Sequence, residues 1–258
     1  MTWYVSDRDA VAPISSPVLR RETLSGGDLS QVEKLTLADG RQVIAKTGPF
    51  PRREADMLRA LAAAGALVPE VLDADDHHLI LSVVADQPLD WRRLGEVLAQ
   101  LHATQGPAYG WPEDYAFGPV IIPNTWNPDW PGFWADNRLR PFVPHLPMSA
   151  GQRLETVCDD LRNRLPASPT PSLLHGDLWT GNVMGATLID PACYYGHAEV
   201  DLAMLNLFGQ PPAAFYDIYK PDPDWLDRQP IYTLWPALVH FRLFGNAYLP
   251  MVERLLDA

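Results

Sequence analysis

One stretch restricts this chain more than any other: Leu174-His175-Gly176-Asp177-Leu178-Trp179-Thr180-Gly181-Asn182, followed by Val183-Met184, a Gly185-Ala186 turn and Leu188-Ile189-Asp190-Pro191. Short apolar runs on either side of a glycine turn read as strand, turn, strand. Two carboxylates and one amide flank that hairpin. Phosphoryl transfer needs a carboxylate to orient and deprotonate an attacking hydroxyl, and further oxygens to hold Mg2+ against the phosphates. Asp177 is the expected base; Asn182 and Asp190 are the expected metal ligands.

The N-terminal part supplies what such chemistry requires upstream. Val18 to Leu24 alternates loosely and ends in Ser25-Gly26-Gly27-Asp28. Gln31 to Leu37 and Gln42 to Lys46 flank Ala38-Asp39-Gly40-Arg41, and Asp-Gly between β-prone runs marks a hairpin. A helix is expected from about Arg52 to Ala64, its apolar face made by Met57, Leu58 and Leu61. Glu54 shares that face and points towards the sheet. His78 to Val84 reads as a buried strand.

The order of a glycine turn, a strand lysine, a helix glutamate, His-x-Asp-x-x-x-x-Asn and a second aspartate is that of protein kinases. In that arrangement Gly26 and Gly27 let the backbone approach phosphates. Lys46 offsets phosphate charge, Glu54 holds Lys46, and the backbone from Ser82 to Val84 meets the adenine edge. The expected fold is α+β and bilobal: a β-rich lobe with one long helix over residues 1–85, and a larger, mainly helical lobe over 86–258. Helical stripes are expected at Leu94 to His102, Ser149 to Leu165, from Glu199, and from Gln229 to Leu249 with an interruption at Pro236. Residues 106 to 147, rich in Pro, Trp and Gly, read as a shaped pocket wall.

A net charge of −12 disfavours a nucleic-acid partner, which would need clustered Lys and Arg. No apolar run is long enough for a membrane span, and the first residues have no leader pattern. A cytoplasmic location is therefore expected. Cys158 and Cys193 lack metal or redox spacing and read as unpaired thiols. Oligomeric state leaves no mark in the sequence.

The chain also resembles the fructosamine kinase (ketosamine kinase) family, which lies close to the aminoglycoside phosphotransferases. The resemblance rests on His175 to Asn182 and on Ile189-Asp190-Pro191-Ala192-Cys193-Tyr194-Tyr195-Gly196-His197. It continues through Glu199-Val200-Asp201-Leu202-Ala203-Met204 and Leu207-Phe208-Gly209, with weaker matches at Pro123-Asn124-Thr125-Trp126. It implies ATP- and Mg2+-dependent phosphorylation of a sugar hydroxyl on a ketosamine, either a small glycated amine or a glycated lysine. Trp179, Asn124, Trp126 and His197 become substrate-side candidates. The gap from Asn182 to Asp190 is short for the family, which requires a tight hairpin.

Several of these residues have plainer readings. His175 and His197 fit hydrogen-bonded structural roles, Asp201 an anchor for the catalytic loop or a helix cap, and Trp126, Trp130 and Trp134 the core. Two other functions stay open: a related kinase for an amino alcohol or aminoglycoside, and a catalytically silent nucleotide-binding module.

Overall fold

A computed structural model describes residues 16–24 and 31–258. The expected glycine turn at Gly26 and Gly27 lies outside them. Strands β1 (Val18–Thr23), β2 (Gln31–Leu37) and β3 (Gln42–Thr47) form an antiparallel meander, followed by helix α1 (Pro51–Ala63). Strands β4 (Val71–Ala74) and β5 (His78–Ser82) complete a five-stranded sheet in the order β1-β2-β3-β5-β4.

Strand periodicity decides what this sheet can present. Successive side chains point to opposite faces. Val43 and Ala45 of β3 therefore join Leu35, Leu37 and Ile80 in one apolar cluster. Ile44 and Lys46 take the other face, where Ala55 and Leu58 of α1 pack on Leu79 and Leu81. Lys46 pairs in register with Leu79, so it points into the space under α1. A one-residue slip would turn the lysine away.

Helix α1 opens with Pro51 at its first turn, where a missing N–H costs nothing. It buries Glu54, Met57, Leu58 and Leu61 on one side. Met57 and Leu61 reach past the sheet into a second cluster containing Leu173, Leu178, Leu188 and Cys193. The sheet and the helical region thus share apolar core.

The remaining elements are α2 (Trp91–His102), the hairpin β6 (Tyr115–Phe117) and β7 (Val120–Ile122), α3 (Trp130–Trp134) and α4 (Met148–Arg164). Next come β8 (Ser172–Leu174), the hairpin β9 (Val183–Met184) and β10 (Thr187–Leu188), and β11 (Tyr194–Gly196). Helices α5 (Glu199–Phe208), α6 (Ala213–Tyr219), α7 (Trp225–Phe244) and α8 (Leu249–Leu256) end the chain. The main helical core gathers Trp130, Trp134, Tyr232 and Trp235 around α3 and α7. Among the described residues no helix is long and apolar enough to cross a membrane. Cys158 and Cys193 are both free and buried.

Two sequence expectations need correction here. Helix α7 runs through Pro236 without ending, because neighbouring turns and core burial on both sides outweigh the lost hydrogen bond. It stops instead at Gly245, whose φ of 79° no helix tolerates, and α8 is a separate helix. Trp126 is not core: it is 40% exposed and stacks on Tyr195.

Candidate active site

The loop after β8 is held by a buried carboxylate. Asp201, in the first turn of α5, accepts from the backbone N–H of His175 at 2.7 Å and of Gly176 at 2.9 Å. His102 Nε2 lies 3.1 Å from the same carboxylate, and its Nδ1 is 2.7 Å from the Tyr219 hydroxyl. Burial would raise the Asp201 carboxyl, but the hydrogen bond from His102 leads the effects that bring it below its ordinary value. Gly176 completes the turn at φ 82°, and a Cβ there would lie 2.0 Å from the Ala192 carbonyl oxygen. Only glycine fits. His175 donates from Nε2 to the Ile189 carbonyl at 2.9 Å, while its Nδ1 lies 3.3 Å from the Asp177 N–H. The histidine is a strut between the loop and the end of the hairpin.

These supports bring Asp177, Asn182 and Asp190 to one place. Asn182 Nδ2 donates to Asp177 Oδ2 at 3.0 Å and to the Asp177 carbonyl at 2.9 Å. The Ile189 N–H donates to the Asn182 carbonyl at 3.0 Å, so the tight hairpin delivers Asp190 beside Asn182. Asp190 sits at φ 54°, a left-handed conformation that non-glycine residues seldom adopt and that concentrates at functional sites. Lys46 Nζ donates to Glu54 Oε1 at 2.6 Å and to Asp190 Oδ1 at 2.8 Å.

Electrostatics follow from the burial. Desolvation pushes the Asp177 carboxyl up to about 7, opposed by the Asn182 hydrogen bond and reinforced by the charges of Asp190 and Asp201. Desolvation likewise raises Glu54 against the pull of Lys46. It works against the Lys46 ammonium, yet the two carboxylates outweigh it and leave Lys46 above its ordinary value. The lysine stays charged.

Lys46, Glu54, Asp177, Trp179, Asn182 and Asp190 all border one cavity of about 410 Å³. Five other expected residues lie elsewhere. Asn124 is buried, with its side chain committed to the Glu113 carbonyl and to Arg138. Trp126 is outside the cavity's walls. His197 borders a different hollow behind the loop, 2.7 Å from the Tyr232 hydroxyl, and burial pushes its imidazole down to about 3. Its structural reading fits this position; its substrate reading does not. Ser82 uses its N–H on the Glu70 carbonyl and its hydroxyl on the Glu70 N–H, each at 2.9 Å. It has no amide N–H left for a base edge. Val84, two residues beyond β5, is half-buried and is also absent from the cavity walls.

Tyr115 and Phe117 of β6 form a wall that composition indicated only as a Pro- and Trp-rich region. Phe208, His240 and Phe244 also face the cavity, although their helical spacing looks like that of core residues.

The antiparallel sheet over a mainly helical region is a protein-kinase-like fold. A choline/ethanolamine kinase family protein from Mesorhizobium loti shares this fold with a TM-score of 0.65 at 19% identity, over 93% of this chain and 88% of that one. The sequence pattern of the fructosamine kinase family matches residues 15–258. An Escherichia coli K12 protein described as a probable ketoamine kinase is 36% identical over 92% of this chain and 91% of its own length. A crystallised Thermobifida fusca protein, provisionally described as a fructosamine-3-kinase, superposes with a TM-score of 0.85 at 31% identity, covering 94% of this chain and 93% of the other. The chain belongs to the fructosamine kinase family and is an ATP-dependent phosphotransferase.

Proposed function

We propose that this protein phosphorylates a sugar hydroxyl of a ketosamine, with Asp177 as the catalytic base. The observation that carries the reading is the placement of Asp177: a buried carboxylate on a cavity wall, oriented by Asn182 and raised to about 7. A base poised near the working pH is effective in taking a hydroxyl proton while that oxygen attacks phosphorus. Asn182 fixes the carboxylate that does so.

The donor set also suits a hard divalent cation. Asn182 accepts no hydrogen bond from the protein at its amide oxygen among the described residues, and Asp190 faces the same space as Asp177. Carboxylate and amide oxygens are magnesium ligands, so Asn182 and Asp190 would hold Mg2+. When bound, the ion supplies charge neutralisation for the phosphates. Lys46 is positioned to offset phosphate charge and Glu54 to keep it in place. Trp179, on the cavity wall beside the base, is the substrate-side candidate that fits.

The test is product mapping by phosphorus NMR after incubation with ATP, Mg2+ and synthetic fructosyl- and ribulosyl-amines. A new phosphate-ester resonance coupled to a sugar proton supports the reading. Turnover of amino alcohols or aminoglycosides with none of any ketosamine overturns it.

A further inference from the structure

The cavity continues beyond Asp177 along a run of rings. Trp179 meets Phe208 edge-on, with centroids 6.4 Å apart. Phe208 contacts His240 at 5.0 Å, and His240 contacts Phe244 at 5.5 Å and Tyr248 at 5.1 Å. Phe244 and Tyr248 close the run at 5.8 Å. All five side chains border the cavity. Trp179, Phe208 and Phe244 are 39%, 40% and 48% exposed, although large aromatic side chains are normally withdrawn from water. Apolar surface exposed as one connected patch at the mouth of a site marks a ligand surface.

Among the described residues this arm carries no formal charge. The charged residues bordering the cavity are Lys46, Glu54, Asp177 and Asp190, and they cluster at the catalytic end. His240 donates from Nδ1 to the Pro236 carbonyl at 2.8 Å, and burial lowers its pKa, so the ring is neutral with Nε2 as an acceptor. A polycationic or carboxylate-bearing group would lose hydration here and gain no opposite charge. An aromatic or aliphatic group would exchange water for ring faces.

We infer that Phe208, His240, Phe244 and Tyr248 form a subsite for the nitrogen substituent of the acceptor, and that the enzyme selects ketosamines whose amine carries an apolar, above all aromatic, group. The inference rests on the proposed ketosamine kinase activity and adds the substrate class. With the sugar hydroxyl at Asp177, the amine substituent extends past Trp179 onto these rings. The same feature disfavours aminoglycosides, whose several ammonium groups would find no carboxylate in this arm.

The test compares kcat/KM for the N-benzyl, N-butyl and N-carboxymethyl derivatives of one deoxyketose amine, using the intact protein with ATP and Mg2+. The expected order is benzyl, butyl, carboxymethyl, with roughly tenfold or more between first and last. Phe244→Ala, at a half-exposed position, should reduce that ratio to about threefold, chiefly through a raised KM for the benzyl compound. Equal kcat/KM for the three acceptors, or a ratio unchanged by Phe244→Ala, overturns the subsite while leaving ketosamine kinase activity in place. If none of the three is phosphorylated, the ketosamine reading fails and the subsite assignment fails with it.

Discussion

Lys46 and Asp190, 144 positions apart in the chain, meet through a 2.8 Å contact between Nζ and Oδ1. The same ammonium lies 2.6 Å from Glu54, with both members of that pair over nine-tenths buried. One lysine therefore joins β3, α1 and the end of the β9–β10 hairpin. Lys46→Met should raise the KM for ATP and leave Glu54 buried without its partner. Breaking such a pair costs roughly 3–5 kcal/mol. The double variant Lys46→Met/Glu54→Leu should recover most of this in urea denaturation while remaining inactive. A double variant no more stable than Lys46→Met would show that the pair is not the source of the loss.

Asp177 gives two pH signatures. A base raised to about 7 must be deprotonated to act, so kcat/KM should fall about tenfold per unit below that point and level off above it. Asp177→Asn should lower turnover at least a hundredfold. A pH profile flat from 5 to about 8 would remove Asp177 from the base role.

The same burial bears on stability. The folded protein holds this proton more tightly than the unfolded chain, whose value is near 3.8. Stability contributed by the protonated carboxyl is complete below about 4 and is lost as pH rises through about 7. Asp177→Asn should therefore melt higher than the native protein at pH 8, with a margin that narrows on acidification and vanishes below about 4. A lower melting temperature for the variant at pH 8 would contradict the desolvation account.

Gly176→Ala would force a Cβ to within 2.0 Å of the Ala192 carbonyl at a φ of 82°. Strain of this kind costs about 1–3 kcal/mol before any displacement of the loop. Loss of activity with a native circular dichroism spectrum and a lowered Tm is the expected outcome. Unimpaired kcat would mean that the loop tolerates a shift.

Asp201→Asn preserves shape but replaces one of two acceptor oxygens with a donor, facing the His175 and Gly176 amides. A drop of about tenfold or more in kcat is expected, with little change in the KM for ATP. Equal effects on both would assign Asp201 to general stability.

Much of the site could be read from the sequence because it is local. Asp177, Asn182 and Asp190 lie on one loop and one hairpin, and Lys46 and Glu54 on adjacent elements, so period and turn chemistry bring them near each other. Long-range packing is not legible in this way. Resemblance alone points to Asn124, Trp126 and His197, and in three dimensions these side chains meet Arg138, Tyr195 and Tyr232. The ring-lined arm could not be told from core, because Pro236, Val239, His240 and Leu243 repeat on α7 with the same spacing that buried residues use. Pro236 misled for a related reason: tertiary burial overrode its intrinsic preference.

Met57 of α1 places its sulfur 3.3 Å from the Cys193 backbone nitrogen, three residues after Asp190, and packs beside Leu173 and Leu178. The helix that presents Glu54 is thus wedged into the floor under the acid loop as well as lying against the strands. Heat or urea should accordingly dismantle both halves in a single cooperative event, since neither can shed this methionine without opening the other.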